Sequence, residues 1–220
     1  MSLPTRFRDR SEAGQLLGER LRYLTSERPV VLGLPRGGVP VAYEVAQALA
    51  SPLDVLVVRK LGVPFQPEFA FGAIGEDDTQ VLNTRLVQQL GLSNDTIAEV
   101  VRHERAELNR RVESYRGDRP AFALIGRTVV IVDDGLATGA TARVAVEVAR
   151  ARGAKRIIVA VPVSPREAVA GLRTLADEVI SLHVPTQFEA VGEWYEDFNQ
   201  TTDDQVTSLL RKSSTSSDAD

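Results

Sequence analysis

Two adjacent carboxylates, Asp133 and Asp134, follow an unbroken apolar run at residues 129–132 and precede a string of mostly small or hydroxylated residues. The run suits a strand buried on both faces of a parallel sheet. Gly135, Leu136, Ala137, Thr138, Gly139, Ala140 and Thr141 then lead towards an apolar helix expected over residues 142–152. A strand, a tight loop of small side chains and a helix start together make a site for an anion. Loop amides and the helix N-terminus point at the charge, and small side chains let the backbone come close. Two carboxylates beside such a pocket repel a bare phosphate. They fit a ligand that also carries hydroxyls to be accepted, or a divalent metal to be held. The chemistry indicated is that of a sugar phosphate with its metal.

Other readings of the stretch fit less well. It contains no Gly-Lys-Ser/Thr, so a nucleotide-triphosphate loop is a poor match, and its glycines do not follow Gly-x-Gly-x-x-Gly. An ordinary strand–turn–helix with an acidic cap region is the plainest alternative. A metal-dependent phosphohydrolase with Asp133 as nucleophile is another. Two further stretches offer complementary groups. Pro35-Arg36-Gly37-Gly38 joins a guanidinium to glycine-freed amides, which can grip a pyrophosphate. Arg59 and Lys60 end an apolar segment, and Lys60 is one of only three lysines in the chain. A flexible ammonium there can neutralise phosphate charge; capping a strand in solvent is the simpler role.

Taken whole, residues 128–141 resemble the phosphoribosyl-pyrophosphate loop of the type I phosphoribosyltransferases: four apolar residues, two acids, then x-x-x-Thr-Gly-x-Thr. The resemblance extends over nearly all of residues 6–210 and is nearest to a bacterial group with unassigned acceptors. It implies transfer of ribose 5-phosphate from phosphoribosyl pyrophosphate, with Mg2+, to a small nitrogenous, nucleobase-like acceptor. Asp133 and Asp134 then hold the ribose hydroxyls and touch the metal mostly indirectly, while residues 135–141 cradle the 5-phosphate. Pro35, Arg36, Gly37 and Gly38 become the pyrophosphate loop, with a cis peptide expected at Pro35–Arg36. Lys60, beside Arg59, opens a lid over residues 61–72 that includes Glu68. The aromatic segment 188–198 resembles the hood that holds the acceptor, which nominates Trp194 and Asp197; closing a core is the equal alternative for its aromatic residues. Purine enzymes of the hypoxanthine-guanine type place an aspartate where this chain has Ala137, so no general base is evident; Glu68, Glu193 and Asp197 stand as substitutes. A non-catalytic sensor of phosphoribosyl pyrophosphate on the same fold is the rival reading.

Composition narrows the rest. With 220 residues, 43% of them hydrophobic, the chain can bury one substantial core. Lys+Arg 26 against Asp+Glu 30 gives a net charge of −4, which argues against nucleic acid or a membrane surface as partner. There are no cysteines, hence no disulfides, thiol nucleophiles or thiolate metal sites. No signal-peptide core and no run near the ~18 apolar residues of a membrane span is present. A soluble, cytoplasmic protein is expected, with a homodimer left open.

The elements that must position these groups follow from periodicity. Buried strands are expected at 30–34, 53–58, 129–132, 156–163 and 178–184, and helices at 9–24, 41–50, 84–90, 93–116, 142–152 and 166–176. Their alternation implies an α/β fold, a parallel sheet flanked by helices with a small hood. Residues 1–212 form a single domain in this reading, with the hood at 186–200 plus the N-terminal segment, and 213–220 form a disordered Ser-rich tail. Parallel sheets bind ligands at the carboxyl ends of their strands, and three suspicious loops would meet on that rim.

Overall fold

The computed structural model describes residues 3–117 and 119–217, with the side chains of residues 67, 68 and 215–217 outside the description. The first half of the chain runs α1 (Arg10–Leu21), β1 (Val30–Gly33), α2 (Gly38–Leu49), β2 (Leu53–Val55), β3 (Arg59–Val63), β4 (Gln66–Ile74) and β5 (Gln80–Leu82). The second half runs α3 (Thr84–Gln89), α4 (Asn94–Arg116), β6 (Thr128–Val132), α5 (Ala140–Ala151), β7 (Arg156–Val163), α6 (Arg166–Leu172), β8 (Glu178–His183) and α7 (Asp203–Ser217).

Five strands form one parallel sheet in the order β2-β1-β6-β7-β8. Their apolar runs are continuous because both faces are covered, and the period of two sorts each strand between two cores. Val31, Val130, Val132, Ile158 and Ala160 pack with α2, Leu17, Leu21, Val206 and Leu210. Val30, Leu32, Val129, Ile131, Ile157 and Val159 pack on the other side with α5 and α6. Burying each such side chain contributes about 1.5–3 kcal/mol before conformational entropy is counted. The α/β sandwich expected from the alternation of elements is therefore present. No described helix is long and apolar enough to cross a membrane.

Two segments differ from the sequence reading. Residues 61–72, expected as an open loop because of Gly62, Pro64, Pro67 and Gly72, belong to the hairpin β3–β4. With β5 that hairpin makes a separate three-stranded antiparallel sheet. The glycines and prolines mark register shifts and a turn rather than a coil: pairing slips around Gly62, and Pro64-Phe65 form the tip. Leu61, Val63 and Phe71 are buried in the core that holds α2, and Ala73 in the core that holds α5, which is what holds the hairpin down.

The second difference is the tail. A helix, α7, covers residues 203–217, so 213–217 are helical and Ser213 is buried. Only 218–220 of the expected disordered tail fall outside the described residues. Thr202 and Gln205 form a reciprocal capping box: the Gln205 amide donates to Thr202 Oγ1 at 3.2 Å, and the Thr202 amide to Gln205 Oε1 at 2.9 Å. Val206 and Leu210, four residues apart on one face, then anchor the helix in the core.

Candidate functional site

The site is assembled where β1 and β6 end side by side. The Leu34 amide donates to Val132 O at 2.8 Å, which clamps the turn after β1 against the end of β6. The peptide Pro35–Arg36 is cis, as expected. Beyond it, Gly37 lies so close to the Asp134 carboxylate that any Cβ would collide with Asp134 Oδ2. A Cβ on Gly38 would stand 2.6 Å from Val132 O and 2.8 Å from Asp133 Cα. Glycine is the only residue type that lets the two loops meet in this way.

Asp133 and Asp134 share this junction. The Asp134 amide donates to Asp133 Oδ1 at 2.9 Å. Burial, and then the charge of Asp134, push the Asp133 carboxyl well above the usual carboxylate range. Burial also raises Asp134, but Arg10 opposes it. Arg10 reaches from the first turn of α1 and places both Nε and Nη2 2.8 Å from Asp134 Oδ2, while its guanidinium lies 4.0 Å over the Phe198 ring. The Tyr195 hydroxyl donates to Asp134 O at 2.6 Å. The hood is thus fastened to the acid pair from two directions. Nothing local signals this, because 124 residues separate Arg10 from Asp134.

After the acids the chain turns into α5. Gly139, at φ 72°, starts the helix in a left-handed conformation with no side-chain cap, and the Ala140 amide donates to Thr138 Oγ1 at 3.3 Å. An uncapped helix start presents its first-turn amides to an anion. Leu136 plays a different part from its neighbours: its side chain is buried and its amide donates to Val163 O at 3.0 Å, so it ties the loop to β7. Gly135 sits against Val191 of the hood.

Pro35, Lys60 and Thr141 line one cavity of about 870 Å³, walled by β3 and α4. Each of the three stretches expected to meet thus contributes to this cavity, the central one through Thr141 alone. Lys60 reaches the cavity from a strand rather than from an open loop. Arg59 is held by Glu104 of α4, with Nε 2.7 Å and Nη2 2.6 Å from Glu104 Oε2. His103 and Arg111 of α4 also line the cavity. The residue pattern of α4 is that of a charged surface helix, and only the fold shows that one of its faces is a site wall. Arg36 opens instead onto an adjoining cavity.

The remaining nominated residues lie elsewhere. Ala137 and Thr138 border a separate cavity of about 560 Å³ with Phe188 and Glu189. Trp194 packs on His183, ring centroids 5.2 Å apart, within the aromatic cluster of Phe7, Tyr195 and Phe198. That cluster joins residues 194–198 to the N-terminal segment, and Trp194 does not line the Lys60 cavity. Asp197 is exposed and borders a different cavity, near Arg10 and α7. The side chain of Glu68 lies outside the described residues.

A parallel α/β sheet whose strand-end loops join an acid pair, a glycine turn and a helix start has these groups at the carboxyl edge, where such sheets bind ligands. The chain belongs to the phosphoribosyl transferase domain family, whose sequence pattern matches residues 10–197. It is 54% identical over 204 residues to the Mycobacterium tuberculosis protein Rv0571c (strain H37Rv), provisionally named a phosphoribosyl transferase; the match covers 93% of this chain and 46% of that protein. The chain thus spans about half the length of the curated relatives it matches. The fold matches the crystal structure of TT1426 from Thermus thermophilus with a TM-score of 0.88 at 48% identity, covering 94% of this chain and 98% of that one.

Proposed function

We propose that this domain binds phosphoribosyl pyrophosphate and transfers its ribose 5-phosphate to a small nitrogenous, nucleobase-like acceptor. The observation that carries the reading is the meeting of the glycine turn at 37–38 with the acid pair 133–134, so close that no side chain fits between them. A ligand bearing a pyrophosphate next to a hydroxylated ring matches that juxtaposition. The amides at the start of α5, with Thr138 and Thr141, cradle the 5-phosphate. Asp133 and Asp134 accept the ribose hydroxyls and lie near C1 as it gains oxocarbenium character. Arg36 and Lys60 stabilise the departing pyrophosphate. In the free protein Arg10 occupies the Asp134 carboxylate and favours its ionised form, the form that accepts a hydroxyl.

The donor set also fits the Mg2+ that such chemistry uses. Among the described residues no group of three or more His, Cys, Asp or Glu could hold a metal alone. Asp133 and Asp134 supply two carboxylates, which suits an ion kept mainly by ligand oxygens and water. When bound, magnesium neutralises pyrophosphate charge.

One observation favours the sensor reading: Ala137 is exposed and offers no base, and neither Trp194 nor Asp197 reaches the Lys60 cavity. A screen of nitrogen bases for pyrophosphate release separates the two. Release with any base that yields the corresponding ribonucleotide supports transfer. Binding of phosphoribosyl pyrophosphate with no release for every base tried supports the sensor.

A further inference from the structure

Beside the main cavity lies a smaller one of about 220 Å³. Its lining includes Arg36, Arg110, Arg111, Tyr115 and Asp203, and Pro35 and Arg111 line both cavities. Arg111 therefore stands at the boundary between the space reached by Lys60 and the space reached by Arg36, the two residues assigned above to the leaving group. Three guanidinium groups face a single carboxylate in the smaller cavity. That carboxylate is already engaged, because Tyr115 donates to Asp203 Oδ1 at 3.0 Å. Burial and then Asp203 raise the Tyr115 phenol above its usual range, and the charges of Arg111 and Arg36 oppose them, which places both guanidinium groups near that ring.

A plainer role for Arg111 is the helix-surface pair with Glu107, at 2.7 Å. Glu107, however, is shared with Arg110, at 2.9 Å, so one carboxylate serves two guanidinium groups and a net positive charge remains. Arg111 meets Glu107 through Nε, and a guanidinium carries two further nitrogen atoms in a fixed fork suited to phosphate oxygens. The helix beneath it is fixed. Five residues on, buried Arg116 binds Asp54, Glu76 and the Val55 carbonyl. A side chain on a rigid element can hold a leaving group in register as it departs.

We propose that α4 supplies Arg111 as a pyrophosphate-binding residue that joins Arg36 and Lys60 into one continuous anion subsite, with Arg110 at its outer edge. This assignment rests on the phosphoribosyl-pyrophosphate reading and adds an element that the loop motifs do not contain. The smaller cavity is then the space into which the terminal phosphate extends.

Calorimetric titrations of the full chain with Mg2+, using inorganic pyrophosphate and ribose 5-phosphate as separate probes, test it. Arg111→Gln should weaken pyrophosphate about tenfold or more, the scale of a lost charge-assisted contact. It should leave ribose 5-phosphate within about twofold, because that probe is held by the α5 loop. Arg111→Lys should recover part of the loss. Arg102→Gln, an exposed arginine of the same helix that lines neither cavity, should change nothing. Unchanged pyrophosphate affinity in Arg111→Gln, an equal loss for both probes, or wild-type protein that binds ribose 5-phosphate but not pyrophosphate would each overturn the assignment. Wild-type protein that does not bind ribose 5-phosphate would instead overturn the reading beneath it.

Discussion

Replacing Arg116 by methionine removes the one cation of a buried cluster and leaves two carboxylates behind. Arg116 Nε lies 3.1 Å from Asp54 Oδ1 and its Nη1 pairs with Glu76 Oε2, while Nη2 donates to Val55 O at 3.0 Å. The side chains of Arg116, Asp54 and Glu76 are 3%, 7% and 5% exposed. Solvent can therefore do little to compensate. Breaking a buried pair by deleting one partner costs about 3–5 kcal/mol, mostly as stranded charge. For a domain of this size each kcal/mol moves Tm by about 2–4 °C, so the variant should melt about 6–20 °C lower. The triple variant Arg116→Met/Asp54→Asn/Glu76→Gln should recover much of the loss, since it strands no charge. The cluster joins the end of α4 to β2 and to the residues just after β4, so amide exchange should rise first in α4 and the β3–β5 sheet. Urea and thermal melts of the single and triple variants make the measurement. A single variant within about 2 °C of wild type, or a triple variant no better than the single, would refute the argument that charge compensation holds these elements together.

Two further outcomes follow from the acid pair. Gly37→Ala forces a methyl group into the Asp134 carboxylate and should cost about 1–3 kcal/mol in urea melts, with loss of the stabilisation expected from phosphoribosyl pyrophosphate. Asp133→Asn should make the ligand-free protein more stable at pH 7, visible as a higher Tm. Because the folded state holds the Asp133 proton more tightly than the unfolded chain does, stability falls as pH rises from the ordinary carboxylate value through the raised one. The advantage of the asparagine variant should therefore shrink as the pH is lowered towards about 4.

How far the residues announce all this depends on how local each cause is. Val129 to Val132 and the following Asp-Asp-Gly-Leu-Ala-Thr-Gly carry strand, turn and helix start within one stretch, so that loop is legible from the sequence. The cis bond at Pro35–Arg36 is legible only by resemblance. The hairpin at 59–74 is hidden because Gly62, Pro64, Pro67 and Gly72 punctuate it as a loop would, while the buried set Leu61, Val63, Phe71 and Ala73 becomes meaningful only once a second strand is opposite. No helix is expected after residue 176, so α7 is missed: its one local signal is the capping pair Thr202-x-x-Gln205, and the Ser-rich stretch at its end has the composition of a disordered tail. Arg10 on Asp134, Arg116 between Asp54 and Glu76, and Arg111 between two cavities have no short-range signature. Each is a product of packing. The aromatic residues of the hood are legible as a cluster, yet only the fold shows that Trp194 faces His183.

Binding of phosphoribosyl pyrophosphate to the free domain through its acid pair is the claim on which everything proposed above depends. Thermal melts of wild-type protein and of Asp133→Asn/Asp134→Asn, each titrated with phosphoribosyl pyrophosphate and Mg2+, test it, because a ligand that binds only the folded state raises stability by RT ln(1 + [L]/Kd). The expected result is a concentration-dependent rise in Tm for the wild type and little or none for the double variant. No rise in the wild type, or an undiminished rise in the double variant, would contradict it.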